Sequence, residues 1–218
     1  MLRPRHVKAD LQAQEALKKK LSQDVEQIQA EHPQATIELW AMDEHRIGLK
    51  PLLRRVWVRK GSHPSVRVQQ RYEWMYLYGF VHPQSGRTEW LILPTVNIEM
   101  MNLALAQFAC AVGANAQKQI ALVMDQAGWH ASSHVHIPEG LHLLFLPPYS
   151  PELQPSERLW PLSNEGIASR HFSSLDALEE AQIQRCQILF QRREIIHRTT
   201  CFHWWPPDPV KSHVIQRI

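Results

Sequence analysis

The chain has 218 residues, 44% of them apolar, and a formal net charge of +3 at pH 7, enough for one full-sized core and too little for two large independent domains. No stretch reaches the ~18 uninterrupted apolar residues of a membrane span, and the opening MLRPRHVKAD lacks the apolar segment of a secretory signal, so a soluble, unsecreted protein is expected. Cys110, Cys186 and Cys201 are odd in number and far apart, which argues against a disulfide framework or a zinc knuckle and for reduced core thiols.

Residues 9–32 combine strong helix formers with Leu11, Leu17, Leu21, Val25 and Ile28 at helical spacing, predicting one amphipathic helix that packs or links and stops at Pro33. ATIELWAMDE (35–44) alternates apolar and polar residues as a half-buried strand does, which places Asp43 near a strand's carboxyl end. RRVWVRKG (54–61) and SVRVQQ (65–70) read as short strands around a turn at 61–64. From His45 to Tyr72 there is no acidic residue, while eight Lys and Arg fall inside. A solvated hairpin face would look similar, but the interleaved Trp57 and Tyr72 tilt the block toward nucleic acid. Arg54, Arg55, Lys60 and Arg67 are the candidates for backbone phosphate contacts.

WMYLYGFVHPQSG (74–86) and RTEWLILPT (87–95) predict a hairpin turning at 83–86. Residues 98–116 switch to helical spacing behind Asn97 as N-cap. QIALVMD (119–125) and LHLLFLPP (141–148) are short apolar runs of the kind buried on both faces in a parallel sheet, and the first ends on Asp125. RLWPLSNEGIAS (158–169) reads as a helix distorted by Pro161, and a last long helix is expected over 173–198, where Ser173 and Asp176 resemble a capping box. The whole is an α/β arrangement with a mixed sheet flanked by helices, in which ligands gather at strand carboxyl ends.

LPPYSPELQPSERLW (146–160) adds a third acid. Its prolines fix φ along an extended connector, Pro155 suits the first position of a helix, and Glu157 falls in that first turn, where the positive helix end favours an ionised carboxylate. Asp43, Asp125 and Glu157, delivered by three elements to one sheet edge, suit hard divalent cations and in-line phosphoryl displacement. Singly, each is more often a turn, cap or dipole residue. His130, His134, His136 and His142 lack cysteine partners, so zinc is left out. Trp57, Trp74, Trp90, Trp129, Trp204 and Trp205 offer stacking surfaces, although aromatics in strands more often serve the core.

MDEHRIGLKP (42–51), ALVMDQAGWH (121–130) and LPPYSPELQPSERLW resemble the three acidic-motif segments of the IS630/Tc1/mariner-type transposases, over roughly residues 35–190. The resemblance implies a ribonuclease H-like fold with a DDE triad of Asp43, Asp125 and Glu157 that binds Mg²⁺ or Mn²⁺ as two ions. It implies water-driven nicking of transposon ends, then attack of the freed 3′-hydroxyl on target DNA. His130 matches a histidine of the family motif, and a phosphate contact is expected of it. The implied division is a linker helix at 1–34, a catalytic domain at 35–198 and an irregular tail at 199–218. Partners are double-stranded DNA and, by family analogy, further copies of the chain assembled on it. The implied location is cytoplasmic, nucleoid-associated in a bacterium.

The sequence departs from the family pattern in three ways. Gln154-Pro155 stands where Asn-Pro is usual, and Gln is the poorer N-cap. The 31 residues between Asp125 and Glu157 are slightly few, pointing to a shortened loop near 134–140. No helix-turn-helix units precede Asp43, so a separately encoded or frameshift-joined half is expected to supply them. Two other readings stay open: a related metal-dependent nuclease that only cuts, and a non-catalytic DNA-binding or oligomerisation remnant.

Overall fold

Asp10 opens the first helix by accepting hydrogen bonds at Oδ1 from the N–H groups of Gln12 and Ala13, which satisfies donors that a helix start leaves orphaned. The computed structural model describes residues 10–55, 57–63, 65, 71–128, 130 and 132–209. Helix α1 (Leu11–Glu31) buries Leu17, Leu21, Val25 and Ile28 on one stripe. At about 1.5–3 kcal/mol per buried aliphatic side chain, that stripe contributes roughly 6–12 kcal/mol of gross burial energy. The helix set apart in the sequence as a linker is thus a packed layer of the fold.

Strand β1 (Thr36–Gly48) is the spine of a five-stranded sheet ordered β3-β2-β1-β4-β5. Strands β2 (Trp74–His82) and β3 (Arg87–Leu93) form the expected antiparallel hairpin, and β4 (Lys118–Met124) and β5 (Leu141–Phe145) run parallel to β1. The period-2 alternation of β1 sorts its residues by face. Ile37, Leu39 and Ala41 join the core under α1, α4 (Leu175–Phe190) and α5 (Arg193–Thr200). Trp40 and Met42 join Phe80, Phe108 and Leu122 under α2 (Ile98–Val112). Asn97 caps α2, as expected, by accepting from the Met100 N–H at 2.8 Å.

Three expectations are corrected. Residues 54–55 and 57–61 form no strand. Leu53, Trp57 and Val58 are left exposed, so these residues bury no apolar face of the kind that holds a strand in a sheet. The companion strand at 65–70, Arg67 and Trp129 lie largely or wholly outside the described residues. The last helix divides at Gln191–Arg192 into α4 and α5. The break lets α5 dock on the β2–β3 turn, where His197 Nδ1 meets the Pro83 carbonyl at 2.9 Å and Gly86, at φ +68°, leaves no room for a Cβ beside the Arg193 carbonyl. Cys110, expected in the core, is exposed, while Cys186 is buried. Among the described residues no helix is long and apolar enough to cross a membrane.

Candidate active site

Strand pairing brings the acids together. β1 pairs with β4 only as far as Ala41, opposite Val123, yet continues beside β2 to Gly48. Asp43 therefore does not end its strand, as the sequence suggested. It lies inside β1, opposite Gly79, at the level where β4 has just ended and Asp125 begins the following loop. By alternation Asp43 belongs to the α1 side of the sheet and its neighbour Glu44 to the α2 side.

The third acid arrives on irregular backbone. After β5 the chain makes 3₁₀ turns at Pro151–Leu153 and Pro155–Arg158, then the short helix α3 (Trp160–Ser163). Pro155 takes the first position of its turn, as expected, but Glu157 rides a 3₁₀ turn of four residues and not a regular helix. Gln154 makes no cap bond with its side chain. It is buried, and its Nε2 donates to the Met42 carbonyl at 2.7 Å, which ties this segment to β1 one residue before Asp43.

Asp125, Glu157 and Asp43 line one cleft of about 450 Å³ with Gln126, Tyr149 and Gln154. Tyr149 is half exposed at 51% and holds φ 56°, a left-handed conformation uncommon for a tyrosine. Asp43 Oδ2 accepts from Trp160 Nε1 at 3.1 Å. The indole stacks on His45, with centroids 4.9 Å apart, and lies over Gly79, where a Cβ would come within 2.8 Å of Cη2. Burial, followed by the charges of Glu157 and Glu44, pushes the Asp43 carboxyl well above the usual carboxylate range. Burial and Asp125 also raise Glu157, the reverse of the lowering expected at a helix start.

Asp125 behaves differently. Burial would raise it, but donation from His130 and from the Ala127 N–H outweighs that and holds it below its ordinary value. His130 is 2% exposed, with Nδ1 2.6 Å from Asp125 Oδ1 and Nε2 2.8 Å from Glu44 Oε1. Burial would favour the neutral ring, yet the two carboxylates lift its pKa to about 10, so at neutral pH the imidazolium donates from both nitrogens. The expected phosphate contact by His130 is corrected on this ground: the ring is enclosed and its donors are directed to protein carboxylates.

Among the described residues, none of the candidate basic side chains lines the cleft. Arg54, Arg55 and Lys60 are exposed on the segment between β1 and β2. Arg54 is also a structural tie, donating from Nη2 to the Pro161 carbonyl and from its backbone to Ser169 Oγ. Sequence reasoning missed the roles of Glu44, Gln154 and Trp160. The adjacency of Asp43 and Glu44 on a strand was the available signal, because it sends one acid to each face.

Residues 38–179, which contain all three acids, match the DDE superfamily endonuclease family. The chain belongs to that family. Among solved structures, the catalytic domain of the Mos1 mariner transposase superposes with a TM-score of 0.50 at 15% identity, covering 91% of this chain and 98% of that one. The Mos1 mariner paired-end complex with Mn gives a TM-score of 0.56 at 16% identity, covering 93% and 67%. These likenesses establish the ribonuclease H-like fold. The chain spans about two thirds of the Mos1 chain in the strand transfer complex, 66% by coverage. The uncharacterised protein y4pE/y4sA of Sinorhizobium fredii (strain NBRC 101917 / NGR234) is 36% identical over 104 residues, covering 47% of this chain and 76% of that protein.

Among the described residues no three His, Cys, Asp or Glu side chains form a ready-made metal cage. The donor set nevertheless suits hard cations. It consists of carboxylate oxygens from three elements, and burial, with mutual repulsion second, already raises Asp43 and Glu157, a cost that a divalent cation would offset.

Proposed function

We propose that the chain is the catalytic domain of a Tc1/mariner-type DDE transposase, which cuts DNA strands and joins the freed 3′-hydroxyl to target DNA. The observation that carries this reading is the convergence of Asp43, Asp125 and Glu157 in one cleft, within the segment that matches the family. Asp43, Asp125 and Glu157 would hold one or two Mg²⁺ or Mn²⁺ ions. Bound there, such ions would stabilise the negative charge that develops in phosphoryl transfer.

The protein's own part is positioning. Trp160 fixes Asp43, the Ala127 N–H and His130 fix Asp125, and Gln154 anchors the turn that carries Glu157. Double-stranded DNA is the proposed substrate, with Arg54, Arg55, Lys60 and Arg67 on its backbone. A homo-oligomer on DNA and a separately encoded helix-turn-helix half belong to the same proposal.

The test is Mg²⁺- and Mn²⁺-dependent nicking of supercoiled plasmid. Asp43→Ala, Asp125→Ala and Glu157→Ala are each expected to lower nicking by more than about a hundredfold, beyond the 10–100-fold typical of outer-shell partners, with circular dichroism unchanged. Full metal-dependent cutting by any one variant would remove that residue from the site. Pre-nicked ends then separate a transposase from a nuclease that only cuts, since joined products arise from the former alone.

A further inference from the structure

Asp125 poses a problem for any metal-dependent reading. Its side chain is 54% exposed and stands on an irregular loop just past β4, where an aspartate ordinarily samples several rotamers and loses that freedom on binding. In this protein Oδ1 receives two donors, the Ala127 N–H at 3.0 Å and His130 Nδ1 at 2.6 Å. Oδ2 is thereby the oxygen assigned to the cleft.

His130 is itself held. Its backbone N–H donates to the Ala127 carbonyl at 2.8 Å, closing the loop as a tight turn. Its Nε2 reaches Glu44 Oε1 at 2.8 Å, and the Glu44 side chain is only 7% exposed. Glu44 stands beside Asp43 on β1 but on the opposite face of the sheet. The two adjacent acids thus do different things: one enters the cleft, and the other grips the histidine that grips the second cleft acid. A chain of side chains, Glu44–His130–Asp125, joins the central strand to the loop after β4.

We propose that His130, braced by Glu44, is a positioning residue that presents Asp125 Oδ2 to a divalent cation. The inference rests on the metal-site reading above. It gives Glu44 and His130 a function without contact to DNA, and it predicts that their loss is felt first as weakened metal affinity. Outer-shell partners of ligating side chains typically control metal affinity by 10–100-fold.

The test titrates Mn²⁺ into the full chain, following free Mn²⁺ by electron paramagnetic resonance, for wild type, His130→Ala, His130→Asn and Glu44→Gln. His130→Ala is expected to weaken Mn²⁺ binding about 10–100-fold. His130→Asn, whose amide can replace the Nδ1 donor, recovers most of that loss. Glu44→Gln, which keeps an acceptor for Nε2, loses less than His130→Ala but measurably more than nothing. In plasmid nicking the same variants shift the half-saturating Mg²⁺ concentration upward, and most of the rate returns at high Mg²⁺, a rescue that general loosening of the fold would not give.

Unchanged Mn²⁺ affinity in folded His130→Ala, or lost nicking with unchanged affinity, overturns the proposal. Should His130→Ala fail to fold, Glu44→Gln decides alone, and wild-type affinity in that variant overturns it. A wild-type chain with no measurable Mn²⁺ affinity is a separate result, since it fails the metal-site reading itself.

Discussion

Asp43 concentrates the conflict between stability and chemistry. Its carboxyl titrates well above the usual range because of burial first and the neighbouring Glu157 and Glu44 charges second, with Trp160 donation opposing. A raised folded-state value means that the folded chain holds the proton more tightly than the unfolded one. The associated stability is complete below the ordinary carboxylate value and is lost as pH rises through the raised value. Glu157 adds in the same direction. Asp125, whose value is lowered, contributes stability that is lost only on acidification below its ordinary range, so it does not cancel the effect near neutrality. Asp43→Asn keeps an acceptor for Trp160 and removes the charge. At pH 7.5 without divalent cations it is expected to gain on the order of 1 kcal/mol, seen as a melting temperature higher by about 2–4 °C. The gain shrinks as pH falls to where wild-type Asp43 is protonated. A melting temperature independent of the substitution at pH 7.5 would contradict this account.

At the scale of elements, periodicity carried most of the fold. The alternation in 35–44, the apolar runs ending near Asp125 and Phe145, and the helical spacing of α1 and α2 each became the expected element, because burial on known faces decides them. The interplay of neighbours was hidden. Nothing within 35–48 reveals that β4 stops pairing at Ala41 while β2 continues, and that difference is what opens Asp43 to the cleft. The proline segment was legible as rigid, but its anchor was not. Gln154 looked like a weak cap, whereas its length is what reaches the Met42 carbonyl at 2.7 Å. Gln154→Ala leaves that carbonyl without its side-chain donor and is expected to cost about 1–3 kcal/mol, measured by urea unfolding. Because the lost bond also holds the Glu157 turn to β1, nicking falls further than Gln14→Ala would lower it, although Gln14 bonds Ser150 Oγ and Glu152 of the same segment.

At the scale of the whole molecule, the cleft acids and the basic block lie apart. The three carboxylates sit in the cleft at the end of β4, and Arg54, Arg55 and Lys60 stand exposed on the segment between β1 and β2, outside the cleft lining. Under the proposed function, a DNA strand entering the cleft would pass a region of negative charge, so attraction would have to come from elsewhere on the surface. The basic segment can supply it as backbone contacts that carry no sequence information. Arg54 is a poor probe of this, since truncating it also releases Pro161 and the helix behind Glu157. Arg55 and Lys60 are exposed and suit the test. Each phosphate contact contributes about 0.9 to the slope of log affinity against log salt on B-DNA. The Arg55→Ala/Lys60→Ala double variant is therefore expected to flatten that slope by about 1.8, in fluorescence anisotropy between about 50 and 200 mM salt. Asp125→Asn, which removes a cleft charge and no cation, is expected to bind DNA no more weakly than wild type. A double variant with the wild-type slope would move the DNA path off this segment while leaving the carboxylate cleft where it is.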